Sequence, residues 1–303
     1  MRHFFLIIRL SAVVLLLSAC PRPAPSPDVT SEKSPIVFDG RIALRQAAAL
    51  CAKGDTRSSG SPALQAAREQ ILAELQRLGW RTVKQTFTTS TPLGERTHSN
   101  VIATFPTETS ATENWVFAAT LDAVGSKENV FPAASEGAAG CGVLLELAQR
   151  LAAHPQQARQ VTLLFLDGEA PVRQFAADDG LAGSRFYFQS LVENGQADQV
   201  RGAIFLGAVG HLEAKWVLPS LTSPDLRALL ETQIASKGWE GRLIPATRPI
   251  WGAHLSAIPC GIPSLLLHDS SYQYLHTADD TASKLDEEAL RKVGMILLGM
   301  LER

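Results

Sequence analysis

The chain has 303 residues, with 28 lysines and arginines against 30 aspartates and glutamates, so its formal net charge is −2 at pH 7. This near-neutral balance, without any cluster of basic residues, argues against nucleic acid as a partner. The length suits one domain of ordinary size behind short N-terminal segments.

Residues 1–20 have the composition of an export signal. Arg2 and Arg9 precede an apolar stretch from Leu10 to Leu17 that is too short for a transmembrane helix. The sequence Leu17-Ser18-Ala19-Cys20 resembles the bacterial lipobox, whose cysteine is lipidated and becomes the new N-terminus. We therefore expect an exported protein, anchored by lipid on Cys20 to a bacterial membrane at its periplasmic or outer envelope face. An ordinary cleaved signal and a retained apolar anchor are the alternatives.

Residues 21–36 are predicted to be a tether, because residues 21–35 hold five prolines and show no apolar periodicity. The folded domain then covers residues 37–303. With Cys20 lipidated, three cysteines remain, an odd number in an exported protein, so at most one disulfide can form among Cys51, Cys141 and Cys260. The sequence does not decide the pairing, and Cys141 is expected to be a buried structural thiol.

The first elements of this domain follow from local signals. Ser61 and Pro62 start a run with helical spacing that Gly79 ends. Strands are predicted at Arg81–Thr89 and Asn100–Phe105, joined by a turn at Thr91–Gly94.

Further along, apolar composition predicts buried strands and two helices. The first helix has its apolar face at Val143–Leu151, and the second is C-terminal, with Asp286 as its cap. The predicted buried strands are Trp115–Thr120, Val161–Leu166, Gly202–Val209 and Ser264–His268.

The strand Val161–Leu166 ends at Asp167-Gly168-Glu169. A carboxylate at the carboxyl end of a buried strand lies where open α/β sheets build their sites. The alternative is that Asp-Gly only turns the chain and Glu169 is solvated.

These residues carry a resemblance to a known family. The run DGE followed by DGLAGSR, and the segment from Gly60 to Pro106, are similar to glutaminyl cyclases and to the zinc aminopeptidases with co-catalytic metals. The resemblance covers nearly all of residues 37–303. It implies an α/β three-layer sandwich, in which helices flank a central mixed, mostly parallel sheet. It also implies that Glu169 occupies the position of the general acid/base.

The same resemblance assigns the metal positions, and most of them have lost their donors. Glu136 and His276 stand at ligand positions and keep a donor atom, although Glu136 replaces an aspartate. Thr120, Ala170 and Gly207 occupy the remaining ligand positions. Because a catalytic zinc normally needs three protein ligands, we expect no tightly held zinc cofactor.

The resemblance further implies a substrate pocket near Phe175, His254 and Leu275. In glutaminyl cyclases two acidic residues precede the histidine that corresponds to His254, whereas this chain has Gly252 and Ala253 at those positions. An indole of many cyclases is replaced by Leu275, which leaves Phe175 as the expected aromatic wall.

Three hypotheses for function follow. The first is a degenerate envelope lipoprotein that binds a peptide N-terminus or another envelope component without zinc chemistry. The second is an active zinc aminopeptidase or glutaminyl-peptide cyclotransferase, in which His211, His254 or His268 replaces lost ligands. The third is a purely structural lipoprotein. Fold alone does not decide among them, because the site residues have changed.

The lipobox hypothesis gives a direct test. In Cys20→Ala we expect loss of metabolic lipid labelling and release from the membrane fraction, because the proline-rich tether offers no other anchor. Fractionation and labelling with a fatty-acid analogue measure both effects, with Cys51→Ala as the matched control. Membrane retention of Cys20→Ala would show instead that the apolar segment stays as the anchor.

Overall fold

A mixed sheet forms the centre of the computed structural model, which describes residues 35–52, 56–106, 113–124 and 131–302. The export signal, Cys20 and residues 21–34 of the tether lie outside the described residues. The strands of the described chain are β1 (Arg81–Thr91), β2 (Gly94–Thr104), β3 (Asn114–Thr120), β4 (Val161–Leu166), β5 (Val200–Leu206), β6 (Trp216–Leu218), β7 (Leu243–Pro245) and β8 (Ser264–Leu267).

The main sheet has six strands in the order β1-β2-β4-β3-β5-β8. Strands β4, β3, β5 and β8 are mutually parallel, and the β1-β2 hairpin joins β4 in antiparallel pairing. Only Val101–Thr104 of β2 pair with β4, so most of the hairpin extends beyond that contact. Strands β6 and β7 form a separate parallel pair.

Helices cover both faces of the sheet. In chain order the α-helices of the described residues are α1 (Gly40–Cys51), α2 (Pro62–Arg77), α3 (Ala139–Ala152), α4 (Pro155–Ala158), α5 (Ala182–Glu193), α6 (Pro224–Ala235), α7 (His254–Ala257) and α8 (Glu287–Met300).

The side chains of β4 show how three layers form. Leu163 and Phe165 belong to the core shared with α1, α2, α3 and α8. Leu164 and Leu166 belong to a second core, which includes Phe188 of α5 and Ala257 of α7. All six residues of β4 are buried, because successive side chains enter opposite cores. The predicted α/β three-layer sandwich is confirmed.

Most predicted elements are confirmed near their expected bounds. The Ser61 side chain accepts a hydrogen bond from the Leu64 N–H and caps α2, and Asp286 caps α8 in the same way through the Ala289 N–H. Strand β2 begins at Gly94 rather than Asn100. The polar residues that precede Asn100 carry no apolar alternation, and pairing with β1 makes them a strand.

In the part of the chain that the structure describes, no helix is long and apolar enough to cross a membrane. The thiols of Cys51, Cys141 and Cys260 are free. Cys141 is buried, as predicted, and burial raises its thiol pKa to about 12.

Helix α1, which the sequence did not predict, packs closely on α3. A Cβ at Gly142 of α3 would lie 2.4 Å from the Ala43 carbonyl oxygen of α1. Glycine is therefore needed at this crossing because it lets the two backbones approach.

We expect Gly142→Ala to lower the free energy of unfolding by about 1–3 kcal/mol, because overpacking outweighs the gain of roughly 1 kcal/mol in helix propensity. Urea titration measures the change. Gly241→Ala is the matched control, since a Cβ there meets no atom within 4 Å, and its effect should stay within about 0.5 kcal/mol. Equal stability of the Gly142 variant and the parent chain would contradict this packing.

Candidate functional site

The parallel strands β3, β4, β5 and β8 all end at one edge of the sheet, and polar residues follow them there. Asp122 follows β3, Asp167-Gly168-Glu169 follows β4, Gly207 follows β5 and His268 follows β8. This edge is where open α/β sheets bind ligands. It carries the positions that the sequence singled out.

Glu169 is buried and bound to the start of α5. Its two carboxyl oxygens accept hydrogen bonds from the Ser184 backbone N–H at 2.6 Å and the Ser184 hydroxyl at 2.9 Å. The Ser184 hydroxyl also lies 2.8 Å from the Ser256 hydroxyl. Burial raises the pKa of Glu169 to about 7, against the opposing effect of the Ser184 hydrogen bonds. Glu169 is thus poised to exchange a proton near neutral pH.

Asp122 holds the turn that presents Glu169, a role that the sequence did not predict. Its carboxylate accepts the backbone N–H groups of Glu169 at 3.1 Å and Ala170 at 3.0 Å. Burial, together with the nearby carboxyl groups of Asp167 and Glu169, raises the pKa of Asp122 well above its usual value. The chain separation between Asp122 and this turn explains why sequence inspection missed the contact.

Glu136 and His276, the two ligand positions that keep a donor, bind each other. The Glu136 Oε2 and His276 Nε2 atoms are 2.5 Å apart. Burial opposes ionisation of Glu136, but the hydrogen bond and charge of His276 hold its pKa below the usual value. The hydrogen bond to Glu136 raises the pKa of His276 in turn. His276 also adopts a left-handed backbone with φ of +60°, so the surrounding structure holds a non-glycine residue in an unfavourable conformation.

A cavity of about 40 Å³, here called the Glu136 cavity, brings three of the five ligand positions together. Thr120, Glu136 and Gly207 line it, and His268 and Trp251 contribute as well. Ala170 lines a different and larger cavity.

The donors present do not fit a catalytic zinc. Among residues 35–52, 56–106, 113–124 and 131–302, no group of three or more His, Cys, Asp or Glu side chains is placed to hold a metal ion. His268 lines the Glu136 cavity, but its Nδ1 accepts the Ala208 N–H at 3.1 Å. Burial lowers the pKa of His268, and a neutral ring bonded in this way carries its proton on Nε2. Neither ring nitrogen then offers a free lone pair.

His268 also accounts for the glycine at position 207. A Cβ at Gly207 would lie 2.8 Å from the His268 Nδ1. The imidazole therefore occupies the space into which a side chain at position 207 would extend. A carboxylate side chain at this position, which would be needed for a metal ligand, is incompatible with this arrangement of His268.

The two other histidines considered as substitute ligands lie elsewhere. His254 is fully buried, and neither of its ring nitrogens has a hydrogen-bond partner within the described residues. Burial and the neighbouring His268 lower its pKa to about 4, so the ring is neutral. His211 is partly exposed and pairs with Asp269, with 3.3 Å between Nδ1 and Oδ2.

An aromatic pair lies beside the Glu136 cavity. Phe175 stacks on Trp251, with ring centroids 5.9 Å apart and planes at 7°. Trp251 is 54% exposed and lines the cavity, so it supplies aromatic surface that the sequence predicts for Phe175 alone. Leu275 is half-buried and lines neither of the two cavities described.

The raised pKa of Glu169 makes stability depend on pH. The folded chain keeps a proton that the unfolded chain releases above its ordinary carboxyl pKa, so the free energy of unfolding falls as pH rises from about 4.5 to 7. Over this pH range Glu169 lowers the free energy of unfolding by on the order of 3 kcal/mol. Glu169→Gln should remove most of it, giving a more stable chain than the parent at pH 8 and a similar one at pH 4.5.

Urea titrations at several pH values measure this difference. Glu193→Gln, at an exposed position of α5, is the matched control and should follow the parent curve. Parallel curves for Glu169→Gln and the parent would contradict the protonated, buried state of Glu169.

Comparisons with solved structures agree with this architecture. The chain matches a glutaminyl cyclase from an Acidobacteriales bacterium with a TM-score of 0.81 and 23% identity, over 93% of this chain and 98% of the other. It matches a leucine aminopeptidase precursor from Bacteroides thetaiotaomicron with a TM-score of 0.76 and 19% identity, over 88% and 98% of the two chains. At these identities the matches establish the fold.

The sequence comparisons establish the family. A glutaminyl-peptide cyclotransferase-like protein from Bos taurus is 29% identical over 271 residues, which cover 80% of this chain and 70% of the relative. A glutaminyl-peptide cyclotransferase from Bothrops jararaca is 26% identical over 279 residues, with coverage of 80% and 75%. Peptidase family M28 matches residues 100–301, and because this is more than half of the chain, the protein belongs to peptidase family M28, with a glutaminyl cyclase-like domain.

Proposed function

We propose that this protein is a lipid-anchored envelope member of the family that binds a peptide N-terminus without zinc-dependent catalysis. The observation that carries the proposal is the direct ion pair between Glu136 and His276, 2.5 Å apart. Glu136 and His276 bind each other, whereas the family resemblance assigns both positions to metal ligands.

The remaining ligand positions strengthen this reading. Alanine at position 170 and glycine at position 207 have no side-chain donor, and Thr120 is a poor ligand. A catalytic zinc needs three protein ligands and one open position. Loss of groups that merely support ligands typically costs about 10–100-fold in affinity or activity, so loss of the ligands themselves costs more.

Glu169 remains as a general acid/base without a Lewis acid beside it. General acid/base catalysis alone contributes about 10²–10⁴-fold. This acceleration is small against the slow uncatalysed breakdown of a peptide bond.

A peptide N-terminus suits the chemistry of the Glu136 cavity. Glu136 contacts His276 through Oε2, so its Oε1 can accept from an ammonium group, and the exposed Trp251 ring, stacked on Phe175, supplies apolar surface at the same cavity. An ammonium group near a carboxylate and an aromatic face is held by charge and by cation–π attraction. The relatives named above are glutaminyl-peptide cyclotransferases by description, which supports a peptide terminus as the ligand class.

The first test measures metal and turnover on the purified chain. We expect less than stoichiometric zinc by atomic emission. We also expect neither cyclisation of N-terminal glutamine nor release of N-terminal residues, even after zinc is added. One firmly held zinc per chain, with chelator-sensitive turnover that Glu169→Gln abolishes, would establish the active-enzyme alternative in place of this proposal.

A matched pair of variants tests whether the missing ligand is the main defect. Ala170→Glu combined with Glu136→Asp restores two carboxylates and one histidine, and should bind zinc with at least micromolar affinity, roughly 8 kcal/mol. Zinc should then raise the melting temperature by linkage. Ala177→Glu with Glu136→Asp is the control, because Ala177 is exposed in the same loop. A folded Ala170 variant without zinc uptake would show that positions 136, 170 and 276 do not surround one site.

The binding step has its own test. Calorimetry with a short peptide should detect binding that N-terminal acetylation removes and Glu136→Gln weakens by at least tenfold. The exposed Glu193→Gln is the control. Equal binding of free and acetylated peptides would contradict recognition of the N-terminus, and no binding at all would favour the structural-lipoprotein alternative.

A further inference from the structure

The larger cavity at the same sheet edge holds a second set of reactive side chains. This Ser59 cavity, of about 230 Å³, is walled by the end of β1, by α5 and by the segment after β4. Ser59, Thr89 and His98 line it, as do Arg185 and Phe186. Neither the Glu136–His276 pair nor Glu169 belongs to its lining.

Ser59 and His98 form a close hydrogen-bonded pair. The Ser59 Oγ lies 2.7 Å from the His98 Nδ1. The opposite ring nitrogen, Nε2, lies 3.0 Å from the Thr89 hydroxyl. In the tautomer that carries its proton on Nε2 and donates it to Thr89, the Nδ1 lone pair is directed at Ser59. Both ring nitrogens therefore have a hydrogen-bond partner inside the protein, where His98 is only 3% exposed.

The buried carboxylate of Asp167 lies beside this pair. Asp167 Oδ1 is 3.1 Å from the Ser59 hydroxyl and 3.7 Å from His98 Nδ1. Its other oxygen is bound by Arg68 at 2.6 Å and by the Ser99 N–H at 2.7 Å. Asp167 is thus fixed in place, and its Oδ1, which accepts a hydrogen bond from the Ser59 hydroxyl, lies near the nitrogen that would become positively charged.

Gly168 makes the arrangement possible. Its φ is +77°, and a Cβ there would lie 2.6 Å from the His98 Nδ1. Any side chain at this position would displace the imidazole from Ser59. Gly168 therefore allows both the contact between Ser59 and His98 and the turn after β4.

We propose that Ser59 is a nucleophile, activated by His98, and that the Ser59 cavity accepts small carboxylic esters. Ser59 Oγ attacks the ester carbonyl carbon, and its proton passes to His98 Nδ1. The ester C–O bond then breaks, and the leaving alkoxide takes that proton and departs as an alcohol. Water, deprotonated by the same nitrogen, then attacks the acyl carbon. The bond between that carbon and Ser59 Oγ breaks, Oγ takes the proton back from His98, and the carboxylic acid leaves.

Other residues of the cavity match this substrate class. Arg185 supplies a positive charge. Its guanidinium donates hydrogen bonds to the backbone carbonyls of Ala177, Gly180 and Leu181 rather than to a carboxylate. A fixed cation favours the oxyanion that forms during attack. Phe186, Val172 and Ala182 give the apolar wall that a short acyl chain needs. The volume suits a small ester.

A fluorophosphonate probe on the full chain tests the nucleophile. We expect one adduct, placed on Ser59 by peptide mass spectrometry, and slow hydrolysis of p-nitrophenyl butyrate. Ser59→Ala should abolish both. His98→Gln keeps hydrogen-bonding groups toward Ser59 and Thr89 but cannot take a proton, so it should slow labelling by about 10²-fold or more. Ser220→Ala, at an exposed serine that does not line this cavity, is the matched control and should label at the parent rate.

Melting temperatures separate loss of reactivity from loss of fold, and Thr89→Val gives a second variant that leaves Ser59 and His98 in place. It removes the partner of Nε2 and should slow labelling without abolishing it. No adduct on Ser59 in the folded parent chain would overturn the proposal. So would labelling at Ser59 that proceeds at the parent rate in folded His98→Gln. Neither result depends on zinc or peptide binding at the Glu136 cavity.

Discussion

Three carboxyl groups are buried around the turn that follows β4, and the site depends on how each is compensated. Asp167 pairs with Arg68, which α2 brings to the sheet edge. Asp122 accepts two backbone N–H groups of the turn itself. Glu169 accepts a hydrogen bond from the Ser184 backbone N–H at the start of α5. Because an uncompensated buried charge is costly, these contacts fix α2, α5 and the turn relative to one another.

The positions that the family resemblance assigns to metal ligands make other contacts in this structure. Glu136 and His276 neutralise each other, so neither is left as an unpaired charge near the cavity. His268 fills the space beside Gly207 and takes the Ala208 N–H as its donor. These contacts leave the polar groups around the Glu136 cavity with partners, which limits the free-energy cost of burying them.

One turn carries two buried carboxyl groups into different surroundings. Asp167 contacts Ser59 and lies near His98, whereas Glu169, two residues later, contacts Ser184. The positive φ of Gly168 lets the chain reverse between them and leaves room for the His98 ring. Two chemically different environments thus arise within three residues, because the backbone directs the two side chains to different neighbours.

The sequence by itself determined the elements whose signals are local. The apolar run Val161–Leu166 specifies a buried strand, and Ser61 and Asp286 specify helix starts through their own side chains. Resemblance to a family then located Glu136, Glu169 and His276. Polar strands such as the first part of β2 were missed, because pairing with a neighbour and not composition makes them strands.

Only the tertiary structure decided which side chains meet. Ser59 and His98 are 39 positions apart, and Ser59 and Asp167 are 108 apart. The antiparallel pairing of β2 with β4 brings His98 close to Asp167, and the segment before α2 places Ser59 against both. Periodicity reports which face of an element is buried, but it carries no information on which elements become neighbours. Sheet order and side-chain packing supply that information, since they arise from contacts between residues far apart in the chain.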